Sequence, residues 1–163
     1  MVRVLFVCLG NICRSPMAEA IFRDLVQREQ LEDKIQVDSC GTGSWHLGES
    51  PHSGTKDILH EQGISFDGII SRLLKEEDYK QFDYMVAMDQ HNFTALQRSN
   101  NHDEAVIVKL MEFVENIEEE DIPDPYYTGD FNQTYRLVLE GCHGLLQFLK
   151  EKHYLDQRRD TNG

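Results

Sequence analysis

Near the start of the chain, the run Cys8-Leu9-Gly10-Asn11-Ile12-Cys13-Arg14-Ser15-Pro16 holds the groups that nucleophilic phosphoryl transfer needs. An apolar stretch ends at Cys8 and a helical pattern opens at Ser15-Pro16, so the run joins a buried strand to a helix N-terminus. Successive backbone N–H groups in such a loop can point inward and cradle an oxyanion. The helix dipole adds partial positive charge at the same place. Together with the Arg14 guanidinium, these effects favour the thiolate of Cys8, which is a nucleophile for phosphorus. Arg14 offers a planar fork for two phosphoryl oxygens. Ser15 offers a hydroxyl that can stabilise the sulfur as it leaves a phosphoenzyme. Gly10 is expected to supply the unusual backbone angles of a tight cradle, and Asn11 also tolerates them. A phosphate ester further needs an acid for its leaving oxygen. Asp124 in Ile122-Pro123-Asp124-Pro125-Tyr126-Tyr127 is the candidate, with two prolines to hold its backbone and two tyrosines to wall a pocket for an aromatic ring. A cysteine six residues before an arginine is weak alone, because a strand-ending thiol and a paired arginine would explain it. The position between strand and helix, with Gly10, Asn11 and Ser15 in step, favours chemistry.

These residues need a frame. Four short runs rich in Val and Ile, over residues 2–7, 35–38, 84–88 and 105–108, predict buried strands. They alternate with helical patterns, which indicates a parallel sheet covered on both faces. Met17, Ile21 and Leu25 share one face of the first helix. Shorter helices are expected over 55–62 and 90–98. In the last helix, capped by Asp130, the stripe from Phe131 through Tyr135, Val138, Leu139, Cys142, Leu145, Leu146 and Leu149 is core. The prediction is a three-layer, doubly wound α/β domain with a four-stranded parallel sheet over residues 1–154, followed by a polar tail at 155–163. Ligands in such sheets sit beyond the carboxyl ends of the strands. Cys8, Ser39 and Met88-Asp89, at three of those ends, should therefore face one crevice. Asp89 reads equally as a cap for the helix that follows it and as a group supporting the loop.

The 163 residues carry a net charge of −13. An acidic surface argues against nucleic acid and anionic membrane as partners, so an anion must be bound locally. No apolar run approaches a membrane span. Residues 1–7 are too short, and are interrupted too soon, for a secretory signal. The expected location is the cytoplasm. The four cysteines (Cys8, Cys13, Cys40, Cys142) include no Cys-x-x-Cys pair. Neither they nor the seven scattered histidines show metal-ligand spacing, so no metal is expected. Cys40 and Cys142 read as buried, unreactive thiols. The histidines read as solvated or packing groups. The acidic stretch over 115–121 reads as solvated surface.

Taken together, the motifs resemble the low-molecular-weight protein tyrosine phosphatases over nearly the whole chain. The resemblance rests on Val4 through Glu19, on Asp38-Ser39, Phe82-Asp83-Tyr84 and Ala87-Met88-Asp89, and on Asp124-Pro125-Tyr126-Tyr127. It implies a reaction in two steps without cofactor or metal: Cys8 attacks phosphotyrosine of a protein substrate while Asp124 protonates the phenol, then water hydrolyses the phosphocysteine with Asp124 as base. It implies that Leu9, Gly10, Asn11, Ile12, Cys13 and Ser15 build the phosphate-binding loop, which also takes other oxyanions. It implies that Asn11, Ser15 and Ser39 hold that loop, and that Trp45, Tyr126 and Tyr127 line the substrate cleft. Cys13 matches a thiol able to form a reversible disulfide with the nucleophile. A monomer or weak dimer is expected. Ile69 stands where many relatives carry a histidine that buttresses the loop.

Three alternatives stand beside this reading. Related phosphoarginine phosphatases carry threonine at the position of Ile12, and an apolar side chain there favours phosphotyrosine. An arsenate reductase on the same fold needs a resolving cysteine pair, and only Cys40 and Cys142 remain for it, far apart in sequence. A phosphotyrosine-binding module without activity should have lost the nucleophile or the acid, and both are present.

Overall fold

A computed structural model describes residues 1–99, 104–115 and 118–155. Its element order is β1 (Val2–Cys8), α1 (Arg14–Arg28), β2 (Ile35–Gly41), α2 (Ser53–Glu61), α3 (Asp78–Gln81), β3 (Tyr84–Ala87), α4 (Gln90–Ser99), β4 (Val106–Lys109), a 3₁₀ turn (Leu110–Phe113), α5 (Pro125–Thr128) and α6 (Phe131–Lys152). The four strands form one sheet in the order β2-β1-β3-β4, and all three pairings are parallel. The expected fold class is therefore the observed one. The expected tail lies, except for Leu155, outside the described residues.

Alternation along β1 shows why its run is almost continuously apolar. Val2, Val4, Phe6 and Cys8 face a large cluster with Met17, Ile21 and Phe22 of α1 and Leu137, Leu145 and Leu149 of α6. Leu5 and Val7 face the other side, against Met85 and Ala87 of β3, Tyr79 of α3 and Leu96 of α4. A strand buried on both faces has no polar side to alternate with. Burying side chains such as Phe6 and Phe22 contributes about 1.5–3 kcal/mol each, and their rings meet edge to face at 5.6 Å.

The predicted elements differ from the observed ones mainly at their ends. Helix α1 starts at Arg14, so Pro16 sits third in the first turn, where a missing N–H still has no intrahelical partner to lose. Strand β2 runs to Gly41, carrying Ser39 inside the strand instead of at its end. Asp130 caps α6 as expected, accepting from Gln133 N at 3.0 Å. In the acidic stretch, Glu118, Glu119 and Glu120 are exposed. Asp121 instead pairs with Lys109 at 3.2 Å and accepts from Gln90 N at 3.0 Å, next to the site. Among the described residues no helix is long and apolar enough to cross a membrane.

Candidate active site

The strand order decides where a ligand can sit. The chain leaves β1 for β2 on one side, then crosses back to β3 on the other. A crevice opens at the carboxyl end of β1, where the direction of winding reverses. Residues 9–13 occupy that crevice before α1 begins. Their cavity, of about 460 Å³, is lined by Cys8, Leu9, Gly10, Ile12, Cys13, Trp45, His46, Asp124, Tyr126 and Tyr127. Residues far apart in sequence thus meet at one mouth, with Trp45, Tyr126 and Tyr127 exposed at the rim.

Cys8 Sγ is buried at the floor. It accepts from Asn11 N at 3.3 Å and lies 3.0 Å from Ser15 Oγ. The turn around it is made by Asn11, whose φ of 56° lies in the left-handed region. The expectation for Gly10 is corrected here, because its φ is not positive. Asparagine adopts this conformation more readily than most residues. Its side chain also repays the strain by three bonds: Nδ2 donates to Ser15 Oγ at 2.7 Å and to Ser39 Oγ at 3.0 Å, and Oδ1 accepts from Arg72 N at 3.0 Å. What Gly10 supplies is room. A Cβ there would stand 3.1 Å from Cδ2 of His46.

Arg14 is buried, and its Nη1 donates to Asp89 Oδ2 at 2.6 Å and to Ile122 O at 2.9 Å. Its Nη2 lies 3.4 Å from Asp124 Oδ2. Burial opposes the guanidinium charge, but Cys8, Asp89 and Asp124 outweigh it and hold the proton more firmly than usual. Among the described residues the buried Arg14 Nε has no hydrogen-bond partner, a donor left for an oxyanion. Asp89 fills both of its readings. Oδ2 holds Arg14, while Oδ1 accepts from Asn92 N at 2.8 Å at the start of α4. Asp124 caps α5, accepting from Tyr126 N at 3.1 Å through Oδ1. That bond turns its other oxygen toward Arg14.

Behind the loop stand residues that the sequence did not single out. Glu19, on α1, accepts from Ser39 Oγ at 2.6 Å. Burial raises its carboxyl from 4.5 to about 7, with the Ser39 bond opposing. Its signal was an acidic residue between Ala18 and Ala20 on the buried side of α1. Ser71 Oγ donates to Gly10 O at 3.0 Å. Arg72, besides bonding Asn11 through its backbone, is fixed by Asp38 and Asp78, each at 3.0 Å. Ile69, in place of the histidine, is buried in the main core cluster. The loop is therefore braced by Ser71 and Arg72, two and three residues further on.

The remaining thiols separate clearly. Cys13 precedes α1 and its carbonyl accepts from Thr55 Oγ1 at 3.2 Å. Its thiol is pushed up to about 12, by burial first and then by Asp124 and Cys8, against Arg14. Cys40 and Cys142 are fully buried, in clusters on opposite faces of the sheet. Burial raises both thiols above the usual range. Two histidines depart from the expected bland role. His46 lines the cavity, and His52 Nδ1 accepts from Gly54 N at 3.0 Å at the start of α2. The His52 ring also stacks on Phe131 at 5.0 Å.

Comparison with known proteins agrees with this geometry. The family model of low molecular weight phosphotyrosine protein phosphatase matches residues 3–155. The low molecular weight protein-tyrosine-phosphatase YfkJ of Bacillus subtilis is 49% identical over 160 residues, covering 95% of this chain and all of that one. Its crystal structure superposes with a TM-score of 0.91 over 93% of this chain and 96% of that chain. The low molecular weight protein-tyrosine-phosphatase PtpA of Staphylococcus aureus is 51% identical over 149 residues, covering 91% and 94% of the two chains. A Drosophila arginine phosphatase superposes with a TM-score of 0.84 at 36% identity, covering 90% and 97%. Both the loop between β1 and α1 and the whole-chain similarity lead to one assignment: this chain belongs to the low-molecular-weight phosphotyrosine protein phosphatase family and is a cysteine-dependent protein-tyrosine phosphatase.

Proposed function

We propose that the protein hydrolyses phosphotyrosine in proteins through a phosphocysteine on Cys8, with Arg14 binding the phosphoryl group and Asp124 serving as acid and then as base. The observation that carries this reading is the convergence on one cavity. A thiol with two short polar contacts and a carboxyl at the rim line the same cavity, and a buried guanidinium, whose Nε has no partner among the described residues, lies 3.4 Å from that carboxyl. In the first step Cys8 Sγ forms a bond to phosphorus, the bond from phosphorus to the phenolic oxygen breaks, and Asp124 gives that oxygen its proton. In the second step Asp124 takes a proton from water, whose oxygen bonds to phosphorus while the S–P bond breaks. The electron pair returns to sulfur, where the Ser15 hydroxyl at 3.0 Å stabilises it. Arg14 Nε and the loop N–H groups meet the charge on the equatorial oxygens. Leu9 and Ile12 on the walls, with Trp45, Tyr126 and Tyr127 at the rim, fit a flat aromatic leaving group.

The arginine phosphatase among the structural neighbours makes phosphoarginine the second reading. The apolar wall at Ile12 offers a guanidino group no hydrogen bond, which favours phosphotyrosine. An arsenate-reducing role lacks support, because Cys40 and Cys142 are separated by the sheet and cannot form a resolving pair. The test is phosphate release from phosphotyrosine and phosphoarginine peptides side by side. Cys8→Ser should abolish it, and Asp124→Asn should lower it on the order of 10²-fold or more. Faster turnover of phosphoarginine would transfer the chemistry to the second substrate. Unchanged turnover in Cys8→Ser would remove the mechanism altogether.

A further inference from the structure

His46 is held at the wall of the cavity, with its ring 5.9 Å from that of Tyr126. One edge of its ring lies against the phosphate loop, where a Cβ on Gly10 would be 3.1 Å from Cδ2 and 3.9 Å from Nε2. On the opposite edge, Nδ1 is 2.9 Å from Glu49 Oε2. A carboxylate on one ring nitrogen holds the proton there and fixes the ring, leaving the other nitrogen to act. Here the other nitrogen is Nε2, on the side of the loop. The turn that carries both residues is itself tied to the site. Gly48 N donates to Ser71 O, and Ser71 N donates to Glu49 O, each at 2.9 Å. Gly48 takes the left-handed conformation of this turn, at φ 80°. Ser71 Oγ in turn holds Gly10 O.

The charges at the cavity call for such a group. Facing His46 are Glu49 from its own turn, Cys8 and Cys13 from the loop, and Asp124 and Tyr126 from the side of α5. Among the described residues the site has one permanent cation, Arg14, and Asp89 already pairs with it at 2.6 Å. A phosphate monoester brings up to two further negative charges into this company. Resting on the assignment of the loop as the phosphoryl site, we propose that His46, oriented by Glu49, is a substrate-binding residue whose imidazolium supplies a second cationic contact to the phosphate ester. The contact strengthens binding as the ring gains its proton. It is made equally in the ground state and the transition state, so its loss falls on KM rather than on kcat.

Steady-state kinetics on a phosphotyrosine peptide, with His46→Gln and Glu49→Gln beside the unaltered enzyme, test this. Glutamine keeps a polar group without the charge. His46→Gln should raise KM about tenfold at acid-side pH, the worth of one charge-assisted hydrogen bond. That ratio should shrink toward unity as the pH passes above the neutral range, where an imidazole is uncharged. Glu49→Gln, which removes the 2.9 Å contact that orients the ring, should likewise raise KM on the acid side. A ratio that stays constant with pH, or a loss confined to kcat, would overturn the proposal and leave His46 as a wall of the cleft. Calorimetry of inorganic phosphate binding to Cys8→Ser protein, with and without His46→Gln, reads the same contact without turnover. Equal affinities on the acid side would overturn the proposal whatever the kinetics. A weaker affinity in a protein that turns over neither peptide would support it and count against the catalytic steps alone.

Discussion

Replacing Glu19 by glutamine is expected to stabilise the protein increasingly as the pH rises. Glu19 is buried beneath the loop, and Ser39 Oγ, at 2.6 Å, holds one of its oxygens. Burial raises the carboxyl from its ordinary 4.5 to about 7. The folded protein therefore keeps a proton that the unfolded chain releases between those values. Stability associated with this group is whole below pH 4.5 and is lost as the pH rises through 7. The difference corresponds to roughly 3 kcal/mol once both states are ionised. Glutamine keeps an oxygen for Ser39 and has no proton to lose. Any fixed penalty for its amide N–H groups is the same at every pH. Urea unfolding of both proteins at intervals between about pH 5 and pH 8 should show Glu19→Gln gaining roughly 2–3 kcal/mol on the unaltered protein across that range. The other carboxyl groups cancel in the comparison. Curves that run parallel with pH would refute the reasoning, since they would mean that Glu19 ionises alike in both states. The result bears on activity too, because Glu19 stands at the end of a chain of contacts through Ser39, Asn11 and Ser15 to the Cys8 sulfur.

Gly41→Ala should damage the loop from behind. A Cβ at Gly41 would lie 2.7 Å from Leu9 O and 3.2 Å from Asn11 N, both backbone atoms with little room to shift. A loss of about 1–3 kcal/mol in urea unfolding, with a fall in kcat, is expected; unaltered values for both would show that the loop can slide. Thiol labelling should be selective: alkylation near neutral pH, followed by peptide mass mapping, should modify Cys8 first and be blocked by inorganic phosphate. Cys13, held as a thiol by a value near 12, should label together with Cys40 and Cys142 only after unfolding. Early labelling of Cys13 would contradict its burial.

What could be read along the chain was local. Cys8 to Pro16 are contiguous, so a strand, a loop and a helix start were visible as one unit, and with them the phosphate cradle. The apolar runs gave the sheet away because strands buried on both faces carry no polar alternation. The two prolines around Asp124 marked a held carboxyl, and Asp130 marked the start of α6. Element ends shifted by one to three residues, because hydrogen bonds to distant segments decide them and propensity does not. Both Gly10 and Asn11 were open to the special backbone angle from their residue types. Asn11 takes it, and Gly10 does not, because Ser15, Ser39 and Arg72 hold the Asn11 side chain there.

The tertiary structure alone decided which groups meet. Arg14 finds Asp89, 75 residues on, and Asp124, 110 residues on. Asn11 finds Arg72, 61 residues on. No periodicity encodes such pairs, since they follow from strand order and from the crossing that brings β3 beside β1. The burial that raises the Glu19 carboxyl is likewise a property of packed surroundings. So is the approach of the His46 ring to Gly10, which needs the turn over residues 46–49 to be pinned against Ser71. Residue types along the chain supply reactive groups, but distance and dielectric, which set what those groups do, exist only once the chain is folded.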